Sequence, residues 1–358
     1  DSTKGWIPVS DDAVTDAPVA PATQKGIFGY GSISGRQSMT NLVNSSGVVA
    51  ADVTGVGTVR TKLAAATYGG DKAIFGYGDN AGGSSGTAIT NLVNNSGVVA
   101  ADVSGVGTGR SNLAASEYGG DKAIFGYGYT GSNVSLTNLV NNSGVVAADV
   151  TGVGTARRGL AAARYGTDKA IFAYGYGNSS NTVSMSNLVS NLGVVAADVS
   201  GVGTARYNLG AAGYGTDKGI FAYGLTGSVV SMSNLVSNSG VVASDVSGVG
   251  TARNFLEAAS YGGDKAIFAY GNSGSVVSLK NLVSNLGVVA ADVAGVGSTG
   301  QDRGACSFGG DKAIFGYGGP TATAITNLVS NLGVVAADVA GVGTAREGLC
   351  ATGFSYSA

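Results

Sequence analysis

Charged residues recur at fixed places along this chain. The lysines of the motif DKAIFGYG and its variants stand 47 to 50 residues apart, and aspartates and arginines recur with them. The set comprises Asp52, Asp71, Asp102, Asp121, Asp149, Asp168, Asp198, Asp217, Asp245, Asp264, Asp292, Asp311 and Asp338, with Lys25, Lys72, Lys122, Lys169, Lys218, Lys265 and Lys312, and with Arg60, Arg110, Arg157, Arg206, Arg253 and Arg346. These groups could form a ring of acid–base sites, but a catalytic site normally occurs once, whereas architecture is copied. We therefore expect each aspartate to fix a turn or to pair with a nearby arginine or lysine.

The side chains on which many enzymes and metal sites depend are scarce. Histidine, the commonest general base and metal ligand, is absent. Cys306 and Cys350 form no disulfide framework, and we expect them to be small buried thiols of equivalent inner strands. The sequence thus predicts no enzyme activity, no cofactor and no transition-metal site, while calcium binding through oxygen ligands stays open.

Glycine-rich runs such as GVGTAR have the G-x-G spacing of a phosphate-binding loop. Such a loop needs a following helix and a Lys-Ser/Thr pair, and the sequence supplies neither. We interpret the runs as tight connections between strands.

Composition excludes other classes. A formal net charge of −2 and the lack of a basic stretch argue against nucleic acid binding. No stretch of about 18 apolar residues could span a membrane as a helix, and the first residues lack the pattern of a signal peptide. The compartment stays open on these grounds.

Each repeat contains four short apolar segments bounded by Gly, Asn, Asp and Ser. One copy runs through KAIFGYG at 122–128, VSLTNLV at 134–140, VVAADV at 145–150 and GLAAARYG at 159–166. Their lengths are those of strands. KAIFGYG is apolar on both alternating faces, which is typical of a sheet that lies between other sheets. The sequence therefore predicts four antiparallel strands per repeat.

The two ends of the repeat region complement each other. The first copy has no LAAAxYG segment before it, whereas the last is followed by TAREGLCATGFSY at 344–356. Ends that complete each other indicate a closed ring, and rings of four-stranded sheets are propellers. We predict an all-β, seven-bladed β-propeller over residues 25–358, whose first blade is closed by 344–356. Its repeats start near residues 25, 72, 122, 169, 218, 265 and 312.

Residues 1–24 match no repeat and hold three of the four prolines and the only tryptophan. We interpret them as a tail or linker that can attach the chain to a larger assembly, and a disordered leader is the alternative.

The order of Arg, a small apolar run, Tyr-Gly, Asp-Lys and an apolar strand ending in glycine resembles the kelch-type propeller unit over residues 25–356. The resemblance implies that the Arg-led strand is innermost. GYG replaces the double glycine of that family, and the aromatic residue of its fourth strand is missing. The near-identical Gly- and Ser-rich copies also resemble repeats of marine phage proteins, which implies a virion component or an extracellular protein rather than a cytoplasmic one.

The copies differ mainly in one loop per repeat and in the residues after each arginine. By the strand order both regions lie on one face, and variation over a fixed scaffold is typical of binding loops, although neutral drift in exposed loops is the alternative. We expect a protein or glycan partner on this face, and Asp79, Asn80, Tyr176 and Asn178 should be exposed. As an alternative, Tyr129, Tyr176 and Tyr207 could stack on a carbohydrate. The candidate partner-binding residues are Arg36, Gln37, Asp79, Asn80, Tyr129, Thr130, Tyr176, Asn178, Tyr207, Leu225, Asn272 and Phe255.

Overall fold

The computed structural model describes residues 23–81, 86–201 and 203–357, and in these residues the protein is all-β. Within these ranges the only helical element is a short 3-10 turn at Asn178–Ser180. No helix in the described ranges is long and apolar enough to cross a bilayer. The predicted tail, residues 1–24, lies almost wholly outside the described residues.

The strands form seven small antiparallel sheets of three strands each, which we number I to VII. Sheet I contains β2 (Gly35–Val43), β1 (Lys25–Ile33) and β23 (Cys350–Phe354); sheet II β3 (Ala64–Tyr68), β4 (Lys72–Gly76) and β5 (Thr90–Val93); sheet III β6 (Ala114–Tyr118), β7 (Lys122–Gly126) and β8 (Thr137–Val140); sheet IV β10 (Ala161–Tyr165), β11 (Lys169–Ala173) and β13 (Ser186–Val189). Sheet V contains β14 (Gly210–Tyr214), β15 (Lys218–Ala222) and β16 (Ser233–Val236); sheet VI β17 (Glu257–Tyr261), β18 (Lys265–Ala269) and β19 (Lys280–Val283); sheet VII β20 (Gly304–Phe308), β21 (Lys312–Gly316) and β22 (Thr326–Val329). A two-residue pair, β9 (Arg157–Arg158) with β12 (Tyr176–Gly177), completes the set.

The fourth predicted segment of each repeat differs from a regular strand. In sheet I, VVAADV lies beside β2 but is joined by only two isolated bridges, Val43 with Val49 and Thr40 with Val53. Val48 and Val53 are exposed, so one side of the segment faces solvent without packing against a neighbour. The sheets therefore have three regular strands and an irregular outer edge.

The core is divided among the spaces between consecutive sheets. The middle strand of each sheet is buried on both faces, as its apolar sequence predicts. One apolar cluster joins sheets II and III through residues such as Ile74, Tyr77 and Phe125. Equivalent clusters join sheet III to IV, IV to V, V to VI and VI to VII. Two more join sheet I to sheet II and sheet VII to sheet I, so the sheets follow one another in a closed circle. This arrangement is that of a propeller-like fold.

The first and last described strands meet in sheet I. β23 pairs antiparallel with β1, from Lys25 opposite Phe354 to Gly29 opposite Cys350, at the place where the sequence predicts the closing strand. The backbone N–H of Gln24 donates to the carbonyl of Ser355 at 2.7 Å, and Gly310 donates to Thr23 at 2.9 Å. Both described ends therefore lie on the face that carries the Asp-Lys turns.

Removing residues 344–358 should destroy the cooperative fold, because it exposes the edge of β1 and apolar side chains of sheets I, II and VII. We expect aggregation or a broad, non-cooperative thermal transition. Removing only Ser357 and Ala358 is the control, since no strand is lost. A soluble 1–343 fragment with an unchanged melting curve would contradict ring closure by the terminal strand.

Candidate functional site

The arginines that recur in the repeats link consecutive sheets. These contacts explain why the arginine and its partners are the same in nearly every copy. Each guanidinium lies over the tyrosine ring of the preceding sheet, as Arg60 does over Tyr30 at 4.1 Å from ring centroid to Cζ. The same tyrosine packs edge-on against a phenylalanine of the following sheet, Phe75 in this instance. Equivalent contacts occur at all seven junctions, including that of Arg346 with Tyr317.

Hydrogen bonds hold each arginine within its own sheet. Arg110 donates to Asn138 Oδ1 at 2.7 Å, and Asn138 in turn donates to Asp149 at 2.9 Å. Asp149 also accepts from the backbone N–H and the hydroxyl of Thr108, which belongs to the connection before Arg110. Asp149 therefore ties this connection to the third strand, which is the structural role expected of the repeated aspartates.

Several aspartates of these networks have a pKa below the ordinary value of a carboxyl. Burial alone would raise the pKa of Asp149, but hydrogen bonds from Thr108 and Asn138 outweigh it, and the pKa lies below the ordinary value. Asp102 and Asp245 show the same balance.

A ring of left-handed residues follows the arginines and encircles the axis. These residues are Lys62, Asn112, Gly159, Asn208, Phe255, Asp302 and Gly348, with φ between 49° and 61°. Backbone hydrogen bonds link consecutive members of this ring: the N–H of Asn112 donates to the carbonyl of Lys62. In the same way Lys62 donates to Gly348, Gly159 to Asn112, Asn208 to Gly159, Phe255 to Asn208 and Asp302 to Phe255. Phe255 is notable because a bulky residue rarely adopts this conformation.

A cavity of about 1010 Å³ opens at this ring, on the face of the variable loops. The residue after each repeat-locked arginine pairs with a residue near the start of a variable loop, as Ser111 does with Tyr129 and Tyr207 with Leu225. The pairing brings both variable regions of the repeats to one place, as predicted from the strand order.

Four candidate residues line the cavity: Asp79, Tyr129, Tyr207 and Phe255. Four more contact its wall, because Arg36 pairs with Asp79 at 2.9 Å, Tyr176 packs against Tyr207, Leu225 bridges Tyr207, and Asn272 donates to Gln301 at 2.8 Å. The remaining four, Gln37, Asn80, Thr130 and Asn178, lie in the outer parts of the loops and have no contact to the cavity lining among the contacts of the described residues.

The expected exposure of the longest loops is wrong for three of four residues. Asp79 is buried at 8% exposure, because its carboxylate accepts from Arg36 and its backbone pairs with Thr61. Tyr176 and Asn80 are half-buried, Tyr176 because its ring packs against Tyr207, and only Asn178 is exposed.

An aromatic and cationic cluster forms one wall of the cavity. The guanidinium of Arg158 lies 4.3 Å from the centroid of Tyr129 and 5.3 Å from that of Tyr176. The rings of Tyr176 and Tyr207 are 5.1 Å apart. All four side chains are half-buried, and Tyr129, Arg158 and Tyr207 line the cavity.

The opposite wall is acidic, and the sequence did not single out its residues as a site. Burial raises the pKa of Glu257 to about 8, helped by the charge of Asp302. Burial likewise raises the pKa of Asp302 to about 6, with a contribution from Glu347. The available signal was that Glu257 replaces the small residue that begins the inner strand of sister sheets. In the part of the chain described, no group of three or more His, Cys, Asp or Glu side chains is arranged to hold a metal ion.

Sheet VII keeps the arginine contact by another route. Gly300 stands where the other sheets have arginine, yet Arg303 lies over Tyr270 at 4.0 Å and donates to Asn327 at 3.1 Å. A Cβ on Gly300 would come within 2.3 Å of Arg303 Nε, so the glycine makes room for the displaced guanidinium.

The fold resembles a solved structure titled "Structure of YjhT", with a TM-score of 0.57 and 11% identity over 78% of this chain and 97% of that chain. At that identity the likeness concerns the fold alone. No protein-family model matches the sequence, and no curated protein matches it.

The substitutions Arg303→Leu and Gly300→Arg together move the arginine of sheet VII to the position it has in the other sheets. Their effects on the free energy of unfolding should be strongly coupled. Arg303→Leu leaves Tyr270 and Asn327 without their cation, and Gly300→Arg forces a clash, so each alone should lower the free energy of unfolding by about 2–4 kcal/mol. The double variant restores the arrangement of Arg253 and Leu256 and should recover most of the loss. Denaturant unfolding measures all four proteins, and additive losses would show that Arg303 does not replace the missing arginine.

Glu257 should make stability depend on pH. Because its folded pKa is raised to about 8, the folded state holds a proton that the unfolded state loses above pH 4.5, and stability falls as pH rises between these values. Glu257→Ala, which has the residue of sheets II to IV, should therefore gain stability relative to the parent as pH rises from 5 to 8. Melting temperatures of both proteins over this range test the sign, and a constant difference would refute it.

Proposed function

We propose that the chain is a non-enzymatic binding protein with the architecture of a kelch-like, seven-bladed β-propeller. In this interpretation each sheet is a blade, and the bridged VVAADV segment is its fourth, outermost strand. The partner, a protein or a glycan, binds in the cavity on the variable face. The observation that carries the proposal is that residues in which the copies differ lie together at one cavity. The residues that the copies share form the contacts between consecutive sheets.

The size of the cavity favours insertion of part of a partner. A volume of about 1010 Å³ is at the upper end of the range for small-ligand pockets. Its lining alternates amides and hydroxyls with aromatic rings, and hot spots of protein interfaces use similar side chains. The lining includes Asn112, Asn208, Tyr129 and Phe255.

The position of the first and last described segments supports display of this cavity. Thr23 and Ser355 are bound on the opposite face, beside Asp71 and Gly310. If residues 1–22 attach the chain to a larger assembly, the cavity points away from it. Membership of a phage virion or another displayed structure is the setting that the repeat style suggests.

A charge reversal on either face tests the proposal with matched substitutions. Lys62→Glu changes the cavity lip, and Lys122→Glu makes the same change on the face of the Asp-Lys turns. After affinity capture from the source and identification of a partner, its Kd should rise at least about tenfold for Lys62→Glu and stay unchanged for Lys122→Glu. Loss only with Lys122→Glu would refute the cavity as the binding site.

Carbohydrate binding is the second candidate, and the cluster of Tyr129, Arg158, Tyr176 and Tyr207 favours it. Aromatic faces beside polar side chains are suited to sugar rings, whose C–H groups pack on aromatic faces while their hydroxyls take hydrogen bonds. A glycan array should give signals that Tyr176→Ala and Tyr207→Ala reduce about tenfold or more. Tyr356→Ala, on the other face, is the control, and an array without signal would exclude this candidate.

A further inference from the structure

Four departures from the repeat meet at one place in the interior. Gly300 and Arg303 replace the arginine and leucine of the other sheets. Glu257 and Cys350 begin inner strands at the position that is small elsewhere, namely Ala64, Ala114, Ala161, Gly210 and Gly304. They belong to sheets VI, VII and I, which are neighbours in the circle. Drift in exposed loops does not account for changes at interior positions.

The departures open a second cavity behind the left-handed ring. It has a volume of about 210 Å³ and is lined by Glu257, Arg303, Cys350, Leu63 and Leu349, together with small residues of the inner strands. Because the guanidinium of Arg303 lies over Tyr270, the circle of leucines lacks one member at sheet VII. Leu63, Glu257 and Leu349 also line the large cavity, so the two cavities adjoin and Glu257 belongs to both linings.

Among the residues that the structure describes, neither Glu257 nor Asp302 has an ion-pair partner. In the described ranges no lysine or arginine nitrogen lies within 4.0 Å of either carboxylate. Arg303 cannot turn to Glu257 without leaving Asn327 and the carbonyl of Ser298, to which it donates at 3.1 Å each.

The groups around Glu257 leave it short of positive charge. Asp302 and Glu347 add negative charge from the mouth, and Lys62 acts there on Asp302. Cys350 faces Glu257 from β23, and its thiol is neutral because burial raises its pKa. Arg60 and Arg346 act on Cys350 but are stacked on Tyr30 and Tyr317. A cation that entered the small cavity would therefore meet a carboxyl that has no ion pair and that is ionised above its pKa of about 8.

We propose that the cavity beside Glu257 binds a primary ammonium group carried on a slim alkyl chain, either a lysine side chain of a partner or a free alkylamine. The ammonium pairs with Glu257, and the alkyl chain packs on Leu63, Leu349 and Ala305. Both carboxyls have raised pKa values, and pairing with a cation would favour their ionised forms. This inference rests on the proposed function, because the ligand enters through the same cavity.

Butylammonium chloride is the probe, measured by NMR titration and calorimetry at pH 7 and pH 9, where the amine stays protonated. Glu257 with a pKa of about 8 goes from about a tenth to about nine tenths ionised over this range, so the affinity should rise about tenfold. The perturbed amides should be those of β17, β20 and β23.

Two controls separate the charge from the shape of the probe. The variants Glu257→Gln and Glu257→Ala, the second of which has the residue of the sister sheets, should not bind butylammonium at either pH. For the parent protein, 1-butanol should not displace butylammonium. Equal binding of butanol, or unchanged affinity in the Gln variant, would overturn the proposal. So would the absence of binding by the parent protein.

The source of the ammonium group is decided by a second ligand. Nα-acetyl-lysine N-methylamide should bind as butylammonium does if a partner's lysine is the natural ligand, whereas binding of butylammonium alone indicates a free amine. If neither binds while Lys62→Glu still abolishes partner binding, this inference fails and the proposed function stands.

Discussion

The contact of an arginine guanidinium with the tyrosine ring of the preceding sheet is the interaction on which the rest of the structure depends. Seven such contacts, with centroid distances of 3.9 to 4.2 Å, join every sheet to the next and the last to the first. The arginines are almost fully buried. A buried cation is costly unless it is paired, and here the ring, an asparagine and a nearby aspartate supply the pairing.

The tyrosines show how strongly these junctions are determined. All seven, from Tyr30 to Tyr317, have φ between 61° and 66°, a conformation that costs a non-glycine residue about 1–2 kcal/mol. The conformation persists because each ring is held between an arginine and a phenylalanine of the next sheet. The following glycine donates its N–H to the carbonyl of that arginine, except that Gly271 of sheet VI donates to Gly300 of sheet VII. With the junctions fixed in this way, the mouth of the ring is free to vary without loss of the fold.

Much of the fold was predictable from the sequence, because copies of one unit give the same answer several times. The spacing of Lys, Tyr-Gly and Asn predicted the small antiparallel sheets, and the LAAAxYG-like end of the chain predicted the partner of β1. The fourth strand was predicted from its apolar residues, but the segment has one residue more between Val49 and Val53 than the third strand has between Thr40 and Val43, so the two pair only through isolated bridges. Asp79 was predicted to be exposed because its position is in a loop; only the structure shows that Arg36 covers it.

The acidic wall could not be predicted from single positions. Glu257, Arg303 and Cys350 are 93 residues apart at most and lie in three different inner strands or their connections. Only the circular order of the sheets brings them to one cavity. The sequence shows that the arginine of sheet VII is displaced by three residues. Only the three-dimensional structure shows that the side chain of Arg303 still reaches Tyr270 and Asn327.

The most direct measurement of the account is a double-mutant cycle between Arg157 and Tyr127, which belong to different sheets and are 3.9 Å apart. Arg157→Met, Tyr127→Leu and the double variant would be compared by equilibrium unfolding, with Arg157→Met and Tyr174→Leu as the control cycle, since Tyr174 is the partner of Arg206. We predict a coupling free energy of about 1–2 kcal/mol for the first pair and a much smaller one for the control. Additive losses in the first cycle would contradict the claim that these contacts hold the sheets together.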